Sequence, residues 1–317
     1  MLRPLLLELA NSSRLRQWIT TNGTTRRMAQ RFVPGEELAD AVSAARASNR
    51  AGMAASLDLL GENVVTREDA ERARAAYTEA LDRIAAEGID ANISLKLTHV
   101  GLDQGDEFCA EQLRIVTRRA NELRNFVRVD MEGSAYTDRT IRIVRQARAE
   151  SPGVGTVIQA YLYRSEEDIR ALLEVGCRIR LVKGAYKEPP SIAFRHKKDV
   201  DANYIKLMKL LLPSGVYNGI ATHDPKMIEA TIRFAAEQNI TKDKFEFQML
   251  YGVRSDLQNE LVRQGYRMRV YIPFGKDWFP YFMRRLAERP ANLLFFAKNF
   301  LRGSSPRPRR NTFATKP

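Results

Sequence analysis

The stretch 281-YFMRRLAE sets two adjacent arginines, Arg284 and Arg285, one helical turn ahead of a carboxylate, Glu288. On a helix Glu288 stands four residues after the first arginine and three after the second, so one carboxylate reaches both guanidiniums. Tyr281 lies on the same side, one turn earlier. Two guanidiniums against one carboxylate leave a positive fork, suited to a planar anion gripped in a bidentate way. The same spacing also describes a solvated, salt-bridged helix face, and R-R-x-x-E alone does not choose between them. Three further polar side chains interrupt apolar runs: Lys96 between Leu95 and Leu97, Asp130 between Val129 and Met131, and Gln159 between Ile158 and Ala160. A charge in such a place must be paired or functional, because burying it alone is costly.

The elements that would position these groups are legible as a repeating pattern. Eight short apolar runs, opening at residues 54, 90, 126, 154, 178, 216, 245 and 266, read as strands. Helical patterns separate them. One covers 67–87, opening after Thr66 with Asp69 three residues on and stopping at Gly88. Another covers 166–175, before Gly176, and a third covers 225–238, behind the cap-and-proline pair Asp224-Pro225. Strands alternating with single helices predict a parallel sheet, and eight units predict a closed (βα)8 TIM-type barrel of the α/β class. An open sheet of fewer strands is the alternative fold, but the G-x-G-x-x-G turn that would favour it is absent. Residues 1–50 read as a helical segment, 51–301 as the barrel and 302–317 as a basic tail without a fold of its own.

In a barrel of this kind function sits at the C-terminal strand ends. Those ends offer Asp58 and Glu62, Lys96, Asp130 and Glu132, Gln159, Arg180 and Lys183, Thr222, His223 and Asp224, Glu246 and Gln248, and Tyr271. Any one of these could be a solvated cap; the set is harder to dismiss. A metal site is not expected, since there are three histidines and no H-x-H or H-E-x-x-H spacing. Neither a G-x-S-x-G elbow nor a P-loop is present. Cys109 and Cys177 read as buried, reduced thiols.

The net charge is +13, from 51 Lys+Arg against 38 Asp+Glu, and part of it lies in 302-RGSSPRPRRNTFATKP. A basic surface suits an acidic partner, so an RNA-binding role is a rival reading, although no basic stretch interleaves the aromatics that base stacking needs. A Schiff-base aldolase using Lys96 or Lys183 is a second rival. No signal peptide or membrane span is read. The expectation is a cytoplasmic protein, with a peripheral contact at the inner face of the membrane through the basic tail.

Taken in order, the strings DLLGE, SLKLT, DMEGS, QAYLYR, RLVKGAY, ATHD, FEFQMLYG, YIPFG and YFMRRLAE resemble the proline dehydrogenase family, over roughly residues 50–300. That activity occurs alone or as one domain of the bifunctional proline utilisation protein. The resemblance implies a distorted barrel that binds FAD non-covalently, with the last helix over its mouth. It implies oxidation of L-proline to Δ1-pyrroline-5-carboxylate by hydride transfer to flavin N5, the electrons passing to a quinone. Carried over by position, Asp130 and Arg180 are catalytic, and Lys96, Arg284 and Arg285 bind the proline carboxylate, with Glu288 orienting the arginines. Ala185, Tyr186, Leu250, Tyr271 and Tyr281 wall the substrate ring. Met131, Gln159, Arg180, Lys183, Gly184, Ala185, Thr222 and His223 contact FAD. Asp58 and Glu62 neutralise the arginines when no substrate is bound. One departure is Lys187, where some relatives carry an aromatic residue after the tyrosine.

Overall fold

A computed structural model describes residues 29–61 and 64–287. The element order is α1 (Leu38–Arg50), β1 (Ala54–Leu59), α2 (Arg67–Ala86), β2 (Ala91–Lys96), α3 (Asp106–Glu122), β3 (Val127–Asp130) and α4 (Ser134–Glu150). Next come β4 (Val154–Gln159), α5 (Ser165–Glu174), β5 (Arg178–Val182), α6 (Lys197–Leu211), β6 (Asn218–Ala221) and α7 (Pro225–Glu237). The series ends with β7 (Phe245–Leu250), α8 (Ser255–Arg263), β8 (Met268–Phe274) and α9 (Trp278–Ala287). All eight strands pair in parallel, and β1 closes on β8, giving a barrel in strict sequence order. Each strand expected from the sequence is present; most are shorter than the run that announced them, while β7 matches it and β8 reaches one residue further, to Phe274. Two compact units are distinguished, Arg31–Trp278 with the barrel, and Met1–Gln30 together with Phe279–Pro317. The expected tail, residues 302–317, and most of the N-terminal segment lie outside the described residues. Among the described residues no helix is long and apolar enough to cross a membrane.

The helix starts follow their local chemistry. Thr66 accepts from the Asp69 amide at 3.1 Å, while Asp69 returns a bond to the Thr66 amide, a reciprocal cap on α2. Asp224 caps α7 by accepting from the Lys226 amide, ahead of proline at the first helical position. Helix α5 begins at Ser165 itself, one residue earlier than its sequence suggests, because the Ser165 hydroxyl turns back to donate to the Gln159 carbonyl at 2.6 Å.

The two faces of the sheet differ in chemistry. Residues alternate along each strand. One set, including Leu57, Ile93, Leu95, Val129, Ile179, Leu181, Ile220, Phe247 and Ile272, is buried in the apolar layer shared with the helices. The other set points into the barrel and is largely polar. It includes Ser56, Asp58, Ser94, Lys96, Arg128, Glu246, Gln248 and Arg180, all buried. Barrels of this class usually fill the interior with branched apolar side chains. Here a polar lining replaces them, and every charge in it must find its partner inside.

Near the N-terminal end of the barrel Arg269 pairs with Glu246 at 2.8 Å and donates to Asn92 at 3.0 Å. Gln248 and Tyr217 also donate to Glu246. Glu246 was a strand-end candidate in the sequence, and the structure corrects this. It is the second residue of β7, far from the C-terminal mouth, and its carboxylate is consumed by this network. Cys109 and Cys177 are both buried free thiols.

Candidate active site

The group that converges on the C-terminal half of the barrel is built around Arg180. Its Nη1 donates to Asp130 Oδ1 at 2.7 Å and to Ser94 Oγ at 3.2 Å, and its Nε donates to Gln248 Oε1 at 2.5 Å. Its guanidinium also lies over the Tyr271 ring, 5.1 Å from the centroid. Tyr271 completes the cluster by donating to Asp130 Oδ2 at 2.8 Å. One carboxylate thus holds a cation with one oxygen and a phenol with the other. Burial first, then the charges of Asp130 and Asp58, push the Tyr271 hydroxyl well above its ordinary value of 10.0, so it stays a neutral donor.

Room for this cluster comes from a residue without a side chain. Gly219, on β6 between β5 and β7, faces Gln248 so closely that a Cβ there would lie 2.4 Å from Gln248 Nε2.

Beside Asp130, Lys96 Nζ stands 3.5 Å from Asp58 Oδ1. Both side chains are buried. Burial raises the Asp58 pKa, Lys96 opposes the rise and Asp130 adds to it. Lys96 and Asp130 sit at matched positions of β2 and β3, so the strand register places a cation between two carboxylates.

The remaining candidates arrange around this centre. Gln159 closes β4 and donates to the Glu132 carbonyl at 2.9 Å; Met131 is buried nearby in the chain. Thr222 accepts from the Asp224 amide at 3.1 Å. His223 Nε2 accepts from the Leu250 amide at 3.0 Å, which fixes the ring against the end of β7 and its tautomer with Nε2 unprotonated. Lys183 is shared between Asp201 and Asp224, the latter at 2.7 Å, where β5 leaves the barrel. Gly184 follows with φ +113°, packed so tightly on Tyr161 that a Cβ would lie 2.2 Å from the ring. Ala185 and Tyr186 are exposed on the loop beyond.

Arg284, Arg285 and Tyr281 lie on α9, where the Arg285 guanidinium stands over the Tyr281 ring at 5.3 Å. Glu62 and Glu288 lie outside the described residues. Sequence reasoning missed Ser56, Ser94, Gly219 and Asp201. The first two carry a usable signal: each stands two residues before a site charge, Asp58 and Lys96, and so faces the same side of its strand.

The family model described as Proline dehydrogenase matches residues 41–298. The chain belongs to the proline dehydrogenase family. Proline dehydrogenase 1 of Bacillus subtilis strain 168 is 43% identical over 302 residues, covering 95% of this chain and 100% of that one. Proline dehydrogenase of Deinococcus radiodurans is 41% identical over 281 residues, covering 87% of this chain and 91% of that one. Among solved structures, proline utilization A of Bdellovibrio bacteriovorus, inactivated by N-propargylglycine, aligns with a TM-score of 0.79 and 27% identity over 89% of this chain. This chain spans 34% of that longer polypeptide. Fold and family therefore agree with the strand-end strings, and the family assignment makes the chain an oxidoreductase.

Proposed function

We propose that the protein oxidises L-proline to Δ1-pyrroline-5-carboxylate, with FAD as its cofactor and a quinone as the final electron acceptor. The observation that carries this reading is the Asp130–Arg180–Tyr271 cluster around the buried Arg180, next to the Lys96–Asp58 pair, in a member of the proline dehydrogenase family.

Proline presents one carboxylate to anchor and one secondary amine to deprotonate. Lys96, Arg284 and Arg285 supply the cations for the carboxylate. The same positive charges disfavour the ammonium form by like-charge repulsion, so the bound substrate reacts as the neutral amine. Tyr271, held neutral and oriented by Asp130, walls the ring with Leu250, Ala185, Tyr186 and Tyr281.

The residues present fit FAD. Arg180 offers a buried cation on a rigid strand, and Gln159, Thr222 and His223 bring polar groups to neighbouring strand ends. Both cations near these strand ends are ion-paired, Arg180 with Asp130 alone and Lys183 with Asp201 and Asp224, so Arg180 is the better suited to the isoalloxazine. When bound, FAD supplies the hydride acceptor. The chain's part is to exclude water and to hold C5 of proline in line with it.

We further propose that the basic tail, residues 302–317, contacts anionic lipid and brings the protein to a membrane quinone. Loss of liposome binding on deleting 303–317 supports this, and unchanged binding removes it.

The deciding experiment is an absorption spectrum of the purified protein before and after L-proline is added without oxygen. Flavin bands that bleach on addition are expected. A colourless protein that does not take up FAD, or bands indifferent to proline, would sink the reading. Borohydride trapping of a lysine adduct with a keto substrate would instead favour the aldolase.

A further inference from the structure

Helix α4 begins without a side-chain cap of its own. The residue before it is Gly133, and its first turn carries no acidic residue. The missing acceptor arrives from 54 residues away: Ser134 N donates to Glu188 Oε1 at 2.7 Å, and Ser134 Oγ donates to Glu188 Oε2 at 2.5 Å. A carboxylate at a helix N-terminus also meets the positive end of the helix dipole. Glu188 sits on the loop between β5 and α6, two residues after Tyr186.

That loop is tied at both ends by other means. At its root Lys183 is locked between Asp201 and Asp224. At its far end it pairs with the segment after β4, through the Leu162–Ala193 bridge, Tyr163 N to Ile192 O at 3.0 Å and Phe194 N to Tyr161 O at 2.8 Å. Between these ties, residues 184–188 carry Ala185 and Tyr186 outward. Glu188 fastens this middle portion to the start of α4, four residues beyond Asp130. We infer that Glu188 is a positioning residue: its double bond to Ser134 clamps the Tyr186 loop to the β3 strand end and so fixes the wall of the proline site. The inference rests on the proline reading above, because it assigns Tyr186 to the substrate.

The test uses the flavin-loaded full chain. Glu188→Ala is expected to raise the Michaelis constant for proline about tenfold while kcat falls much less, since one charge-assisted bond pair is lost and the chemistry is untouched. Glu188→Gln keeps an oxygen acceptor without the charge, and Ser134→Ala keeps the amide bond, so both fall between parent and Glu188→Ala. The double variant Ser134→Ala/Glu188→Ala should behave like Glu188→Ala alone, because both changes remove the same interaction. Amide hydrogen exchange across residues 184–188 should quicken in the same order. A parent-like Michaelis constant in Glu188→Ala, a loss of kcat alone, or additive effects in the double variant would overturn the clamp. If the parent itself fails to oxidise proline, the proline reading falls, and the exchange measurement still decides whether the clamp exists.

Discussion

Arg180 and Asp130 meet at 2.7 Å from strands that are not neighbours, β5 and β3, across the interior of the barrel. Strand β4 lies between them, and the β3–β4–β5 register puts both side chains on the inner face within reach. Their side chains are nearly buried, so the pair has given up its water and depends on its own geometry and on Ser94, Gln248 and Tyr271. Asp130→Asn leaves the Arg180 charge without a counter-ion. The expected outcome is a loss of about 3 kcal/mol in denaturant unfolding and a drop of about a hundredfold in kcat/KM for proline. Parent-like turnover in a folded Asp130→Asn protein would remove this cluster from the active site.

Gly219 permits the same cluster. Ala at 219 would push the Gln248 amide away from its place, and with it the bond to Arg180 Nε. Because a flexible side-chain end moves and not the backbone, Gly219→Ala should cost only about 1–2 kcal/mol of stability. Activity should fall out of proportion to that loss, by about tenfold. Measuring both quantities on one preparation separates a structural effect from a functional one.

The arginine pair on α9, proposed above to hold the substrate carboxylate, makes a kinetic prediction. Arg284→Met or Arg285→Met should raise the Michaelis constant for proline about ten- to a hundredfold, the loss of one charged hydrogen-bonding group, while FAD stays bound. A variant that binds flavin and oxidises proline as the parent does would show that the fork serves another purpose.

Acid stability should report on the network near the N-terminal end of the barrel. Burial pushes the Glu246 carboxyl up, but Arg269 foremost, with Gln248 and Tyr217, holds it below its ordinary 4.5. A lowered folded value means that this stabilisation is present above the unfolded value and is lost as pH falls through the folded one. Glu246→Gln should therefore be less stable than the parent at neutral pH, by about 3 kcal/mol, since Arg269, largely withdrawn from water, loses its ion-pair partner. The gap should close in strong acid. A gap that persists unchanged at low pH would assign the loss to packing, not to charge.

Much of the architecture was readable before any coordinates. The eight strands announce themselves because the face that packs on the helices is apolar in each, and the helix starts at Thr66 and Asp224 are written in adjacent residues. Lys96, Asp130 and Gln159 stood out because each interrupts an apolar run. Those signals are local, so one stretch of chain contains all that is needed to read them.

What the chain alone left open was partnership. That Arg180 would choose Asp130 and Gln248, that Glu246 would be spent on Arg269, and that Glu188 would cap a helix 54 residues earlier all depend on which elements come together and in what register. Residue types and alternation fixed which side chains face inward. Only the register of eight strands around a closed ring decided which of them touch, because a charge buried in low dielectric takes whichever partner the geometry brings within hydrogen-bond distance.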